Sequence, residues 1–247
     1  NSSLLALKKP YVVPGGRFRE SYYWDSYFTA LGLIESNQHQ LVTSMLDNFV
    51  DLQLQFGLIP NGNRSYYLSR SQPPILGLLV ELLLPFQKQV KPFLRQYISA
   101  IETEYHFWMQ GQNELTDINT EHRRVVQMPD GSVLNRYWDD STAPKSFRED
   151  IALYEHSNSN NEADFYRNIR AACESGWDFS SRWLDETQSL ASIRTTRIVP
   201  VDLNCLLFKH ETLLSEYYSL LGDDKKTLEY SSHAKLRKDA INRFMWS

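Results

Sequence analysis

The chain has 247 residues, 42% hydrophobic and 23% charged, with a formal net charge of −4. That hydrophobic share supports a sizeable core, and the length allows one large domain or two small ones. The acidic balance and the scatter of Lys and Arg leave no electrostatic footprint for nucleic acid. Cys173 and Cys205 form no CxxC, which argues against a disulfide framework or a zinc site. The longest apolar run, residues 75–86, is interrupted by Glu81 and is too short to span a bilayer. The chain opens without Met and stops just after a helical pattern, so a fragment is expected and nothing follows about targeting.

Residues 14–27 (PGGRFRESYYWDSY) crowd two glycines, two arginines, two acids and five aromatics together. Neither helical nor strand periodicity accounts for them, because Arg17, Arg19, Glu20 and Asp25 fall on every face. Ring faces beside guanidinium forks and carboxylates suit a wall for a hydroxyl-rich ligand. An aromatic helix start carrying surface ion pairs fits equally.

Residues 26–36 then place Tyr27, Leu31 and Ile34 on one helical face. The next helix, 38–55, spaces Leu41, Met45, Phe49, Leu52 and Phe56 by four and three, with Gly57 where a terminating glycine belongs. Residues 57–74 (GLIPNGNRSYYLSRSQPP) form a long connection, a class of segment disproportionately functional. A helix follows over 75–84. Pro92 opens another, with Leu94, Tyr97, Ile101, Tyr105 and Trp108 on one stripe and Gly111 after it. Residues 123–137 read as a hairpin around Asp130-Gly131, 138–151 as loop, and 157–161 as a polar linker.

A helix over 162–174, with Phe165, Ile169 and Ala172 inward, is ended by Gly176. Residues 192–201 are β-branched and read as extended. Asp202 is placed to cap a helix to Leu221 carrying Leu203, Leu206, His210, Leu213, Tyr217 and Leu220. Residues 223–246 read as a last helix carrying Leu228, Leu236 and Phe244. No repeat of fixed period and no strand–helix alternation is present, so the class is all-α with one small hairpin. Long loops rich in Arg, Trp, Asp and Asn alternate with short turns, which gathers the loops at one mouth if the helices run up and down.

The six histidines form no HExxH, and no phosphate loop or GxSxG elbow exists. What remains are carboxylates beside aromatics: Glu20, Asp25, Asp139, Asp140 and Asp178. Asp178 sits among Trp177, Phe179 and Trp183, which would desolvate it and raise its pKa enough to hold a proton. A turn acid or helix cap is the alternative. Arg17 beside Asp25 suits a hydroxyl clamp in which the guanidinium keeps the acid ionised. Glycoside hydrolysis needs two carboxyl groups, and only one good proton donor is visible.

Residues 14–27, together with IPNGNRSYYLSRSQPP (59–74), DGSVLNRYWDD (130–140), SGWDFSSRW (175–183) and RTTRIVPVDLN (194–204), resemble the signatures of trehalases. These glycoside hydrolases split α,α-trehalose into two glucoses. The resemblance spans nearly the whole chain. It implies an (α/α)6 toroid, incomplete here, as one partial catalytic domain over 1–247, and an inverting mechanism with no metal or cofactor. By motif, the catalytic acid falls on Asp178. Sugar-binding positions fall on Arg17, Phe18, Tyr22, Trp24, Asp25, Asn61, Arg70, Ser71, Gln72 and Gly176.

Residues 141–148 (STAPKSFR) are shorter than the arginine–proline–acid loop of bacterial relatives. Lys145 stands near that arginine's place but cannot reproduce a bidentate fork. The family's second signature and the stretch carrying its general base lie beyond residue 247, so the chain alone is expected to be inactive. The expected partner is a small sugar, with no nucleic acid or membrane and a monomeric state. Relatives are both cytoplasmic and exported, which leaves the compartment open. Another inverting toroid glycosidase and a non-catalytic sugar-binding helical protein remain alternatives.

Overall fold

The computed structural model describes residues 2–144, 147–157, 159–185 and 188–246. Eight helices are present among them: α1 (Asp25–Glu35), α2 (His39–Phe56), α3 (Leu76–Leu83), α4 (Val90–Trp108), α5 (Phe147–Glu155), α6 (Glu162–Glu174), α7 (Val201–Leu221) and α8 (Asp224–Phe244). Three short strands, β1 (Glu121–His122), β2 (Val125–Gln127) and β3 (Val133–Asn135), form an antiparallel sheet in the order β1-β2-β3. Its hairpin pairs Val126 with Leu134 and turns at Asp130-Gly131 as expected; β1 had no periodic signal. No described helix is long and apolar enough to cross a membrane.

Glycines end the helices where the sequence puts them. Gly57 and Gly222 take left-handed φ values of 78° and 88°, which an L side chain adopts only with strain. The turn at Gly222 folds α8 back along α7. One core is built by α1 to α4 with the C-terminal half of α7 and Tyr230 of α8. A second surrounds Trp108, Tyr137, Trp183 and α6, and takes Leu203 and Leu207 from the start of α7. Two helices, α4 and α7, therefore run through both cores.

Several expectations change. Residues 147–155, read as loop or left unassigned, form α5, whose first turn holds Glu149 and Asp150 where the helix dipole favours acids. The β-branched stretch 192–201 is extended only in part. Ile198 and Pro200 keep extended backbone angles, but Thr195–Arg197 forms a 3-10 turn in which Asn168 accepts hydrogen bonds from both the backbone N and Oγ1 of Thr196, at 2.8 and 2.9 Å. Asp202 does not cap α7; Pro200 holds that position, and the Asp202 carboxylate accepts from Arg182. Leu31 and Leu220 turn outward. On α8, Leu228 and Leu236 are 72% and 61% exposed, and the buried face is Tyr230, Ala234, Arg237 and Ala240. That face wins because its polar ends find partners. Tyr230 Oη donates to Glu102 at 2.6 Å, and Arg237 donates to Glu211, Asn135 and Asn204.

The opening stretch is anchored to this core by Tyr23. Its hydroxyl donates to Glu104 on α4 and accepts from the Ile75 N–H at 3.1 Å, while Leu76 N donates to the other Glu104 oxygen. His210 of α7 donates from Nε2 to the Ile101 carbonyl, leaving Nδ1 as an acceptor 3.6 Å from Glu104. Burial pushes Glu104 up to about 8 and His210 down to about 4, so the two meet as neutral groups rather than as an ion pair.

The pKa shifts carry opposite signs for stability. The contribution of Glu104, whose folded pKa is raised, is complete below the ordinary carboxyl range and is lost as pH climbs towards 8. The contribution of His210 is complete above 6.5 and is lost as pH falls towards 4. Above pH 6.5 only the first of the two acts. The thermal midpoint is therefore expected to fall between pH 6.5 and 8, and Glu104→Gln is expected to flatten that slope; equal slopes in the two proteins would refute it.

Candidate active site

Three separate stretches meet at one cavity of about 400 Å³. The opening stretch supplies Pro14, Arg17, Phe18, Tyr22, Trp24 and Asp25. The α2–α3 connection supplies Asn61, Tyr67, Arg70 and Gln72, and the end of α6 supplies Cys173, Gly176 and Asp178. All the catalytic and sugar-binding positions assigned by motif line this cavity except Ser71. That residue is buried beneath it, its backbone N donating to Glu174 Oε1 at 3.1 Å. Pro14, Tyr67 and Cys173 line the wall without having been anticipated. Tyr67 packs edge-on against Tyr22, and the tyrosine pair 66–67 in a long loop was its only signal.

Local chemistry explains the convergence. The Asn61 carbonyl accepts from Tyr23 N at 3.1 Å, its N donates to the Arg70 carbonyl, and its Nδ2 donates to the Cys173 carbonyl at 3.0 Å. One residue thus ties the three stretches together. Gln72 Oε1 accepts from Trp24 N at 3.1 Å. Gly176, at φ 70°, lets the chain pass under Trp24, because a Cβ there would lie 2.5 Å from the indole. Arg17 stacks over the Phe18 ring at 4.9 Å, while Trp24 meets Phe28 and Trp177 at 5.4 and 6.2 Å.

Among the five candidate carboxylates, Asp25 and Asp178 line the cavity. Glu20 is held by Arg64, whose guanidinium lowers its pKa. Asp139 is fully buried between Arg70 and Arg170, and Asp140 lies on the surface near Arg123 and Trp138. The expected shielding of Asp178 is not found. Asp178 is exposed, Trp177 and Phe179 are themselves 44% and 40% exposed, and Trp183 turns into the second core to donate Nε1 to the Trp177 carbonyl. Asp25 is likewise not held ionised by Arg17. Burial raises its pKa, with the charge of Asp178 adding and a backbone hydrogen bond opposing. Lys145 lies outside the described residues.

The family model for trehalase matches residues 1–247. The chain belongs to the trehalase family. It is similar to the neutral trehalase of Saccharomyces cerevisiae, with 26% identity and a TM-score of 0.76 over 99% of this chain and 50% of that one. The chain thus spans about half the length of the yeast protein. A GH63 mannosylglycerate hydrolase from Thermus thermophilus shares the fold at 14% identity, with a TM-score of 0.52, over 94% of this chain and 61% of that one. The helical toroid with a small antiparallel sheet, expected for a trehalase, is the fold these neighbours share.

Gly176→Ala puts a methyl group into the Trp24 indole at a left-handed backbone position. It is expected to cost about 1–3 kcal/mol by urea unfolding, and an unchanged midpoint would show that Trp24 yields freely.

Proposed function

We propose that the enzyme of which this chain is part hydrolyses α,α-trehalose to two glucose molecules with inversion, Asp178 acting as general acid. One observation carries this: two carboxyl groups, two arginine forks and a set of aromatic faces converge from three distant stretches on a single cavity. Such a lining matches a sugar, whose C–H faces stack on rings while its hydroxyls bond to forks and carboxylates. Family membership supplies the substrate class.

Asp178 gives its proton to the glycosidic oxygen as the bond breaks. Burial raises the pKa of Asp25 and the charge of Asp178 adds to it, so the two carboxyl groups of the cavity are coupled. Asp25 accepts a glucose hydroxyl, and Arg17 and Arg70 hold others. Inversion requires a second carboxylate on the opposite face of the sugar to activate water. That base is a glutamate outside residues 1–247.

Asp178→Asn in the full-length enzyme is expected to lower kcat on trehalose by roughly 10²–10⁴-fold. Hydrolysis of α-glucosyl fluoride, whose leaving group needs no protonation, is expected to be largely spared. Retention of most of kcat on trehalose would remove Asp178 from the role. Residues 1–247 alone are expected to show trehalose turnover far below that of the full-length enzyme; comparable rates would place the base within this chain.

A further inference from the structure

We infer that Asp139 is a positioning residue that sets the Arg70 guanidinium in the cavity wall and thereby how tightly the sugar is held, an inference that rests on the trehalose hydrolysis proposed above. Asp139 never reaches the cavity. It lies behind it, fully buried, and Oδ2 accepts from Arg70 Nη1 at 3.2 Å and from Arg170 Nε at 3.0 Å. Ser69 Oγ closes the group, donating to the same oxygen at 3.3 Å and accepting from Arg170 Nη2 at 2.9 Å. Oδ1 accepts from Ser141 N at 2.8 Å. The carboxylate therefore bonds the loop bearing Arg70, the loop after β3 and helix α6 at one point.

Two features separate this cluster from an ordinary structural ion pair. First, it sets two guanidinium groups against one carboxylate, which is their one shared charged acceptor, while Ser69 Oγ and the Ala143 carbonyl hold Arg170 besides. A planar fork pinned through one Nη presents its remaining donors in a fixed plane. Second, Arg70 is almost completely buried yet lines the cavity, and its Nε–H has no hydrogen-bond partner among the described residues. That Nε is closed off from the cavity as well, so a bound sugar meets the fork at its other donors, whose plane the bond to Asp139 fixes. The ring of Tyr67, 5.2 Å from the Arg70 guanidinium carbon, supports the fork from its face.

The test uses the full-length enzyme and trehalose as substrate. Asp139→Asn preserves shape and removes the charge. It is expected to raise KM about tenfold or more while kcat stays within about threefold, the pattern of lost binding common to ground and transition states. Asp139→Glu restores the carboxylate and is expected to recover part of the loss. Because two uncompensated guanidiniums could unfold the single variant, Asp139→Asn with Arg170→Met, which removes one cation as well, is measured beside it and is expected to fold with a raised KM. A wild-type KM in either folded variant overturns the inference, and so does failure of both to fold, which would assign Asp139 to the fold alone. Arg70→Lys separates the two levels. If it leaves KM unchanged, the assignment of Arg70 to the sugar fails; if it raises KM while Asp139→Asn does not, only the positioning role fails.

Discussion

The cavity hangs on one buried carboxylate. Glu174, at the last turn of α6, is fully enclosed and receives Arg124 through Nε and Nη2, the latter at 2.5 Å, together with the backbone N–H groups of Ser71 and Trp138. Enclosing a charge costs several kcal/mol unless its lone pairs are met. Here donors from three separate stretches meet them, with Arg124 in turn lying 4.1 Å from the Phe107 ring centre. Burial raises the pKa of Glu174 and Arg124 opposes it. The loops that shape the site leave several of their rings exposed, among them Phe18, Trp177 and Phe179, so these charge-assisted bonds hold what hydrophobic packing does not.

Glu104 plays the corresponding part on the other side of the opening stretch. Tyr22, Tyr23 and Trp24 are consecutive, yet the outer two line the cavity while the middle one is sunk in the core with its hydroxyl on Glu104. A bend in the chain converts a run of aromatics into alternating wall and anchor. The wall is thus fixed from behind at both ends: by Glu104 through α4, and by Glu174 and Asp139 through α6. Because α4 and α7 pass through both cores, the two anchors are joined by the same packed helices. Pre-set geometry of this kind lowers the ordering cost of binding a polar ligand.

Much of the helical framework was legible because its signals are local. In α4, Leu94, Tyr97, Ile101, Tyr105 and Trp108 are all buried as their spacing requires, and the glycines after α2 and α7 end those helices in left-handed conformations. Errors arose where a distant partner outweighed the local pattern. Within 192–201 the turn Thr195–Arg197 formed on the side chain of Asn168 while Ile198 and Pro200 stayed extended, and α8 buried a tyrosine and an arginine in preference to Leu228 and Leu236. The site motifs were legible as composition, since forks, rings and acids cluster in the loops. Their supports, Glu174 and Glu104, sit on helices and carry no motif.

The sequence by itself determined the all-α class, most helix limits, the hairpin at Asp130-Gly131, and which loops carry the forks, rings and acids that line the cavity, because propensity, capping and composition act over a few residues. Tertiary structure alone decided which of five carboxylates face the cavity. It left Asp178 exposed instead of enclosed by its neighbouring rings, and it raised the pKa of Asp25 where a guanidinium had been expected to keep it ionised. Burial and field at a carboxyl group depend on which distant segments pack against it, and no local spacing of residues encodes that.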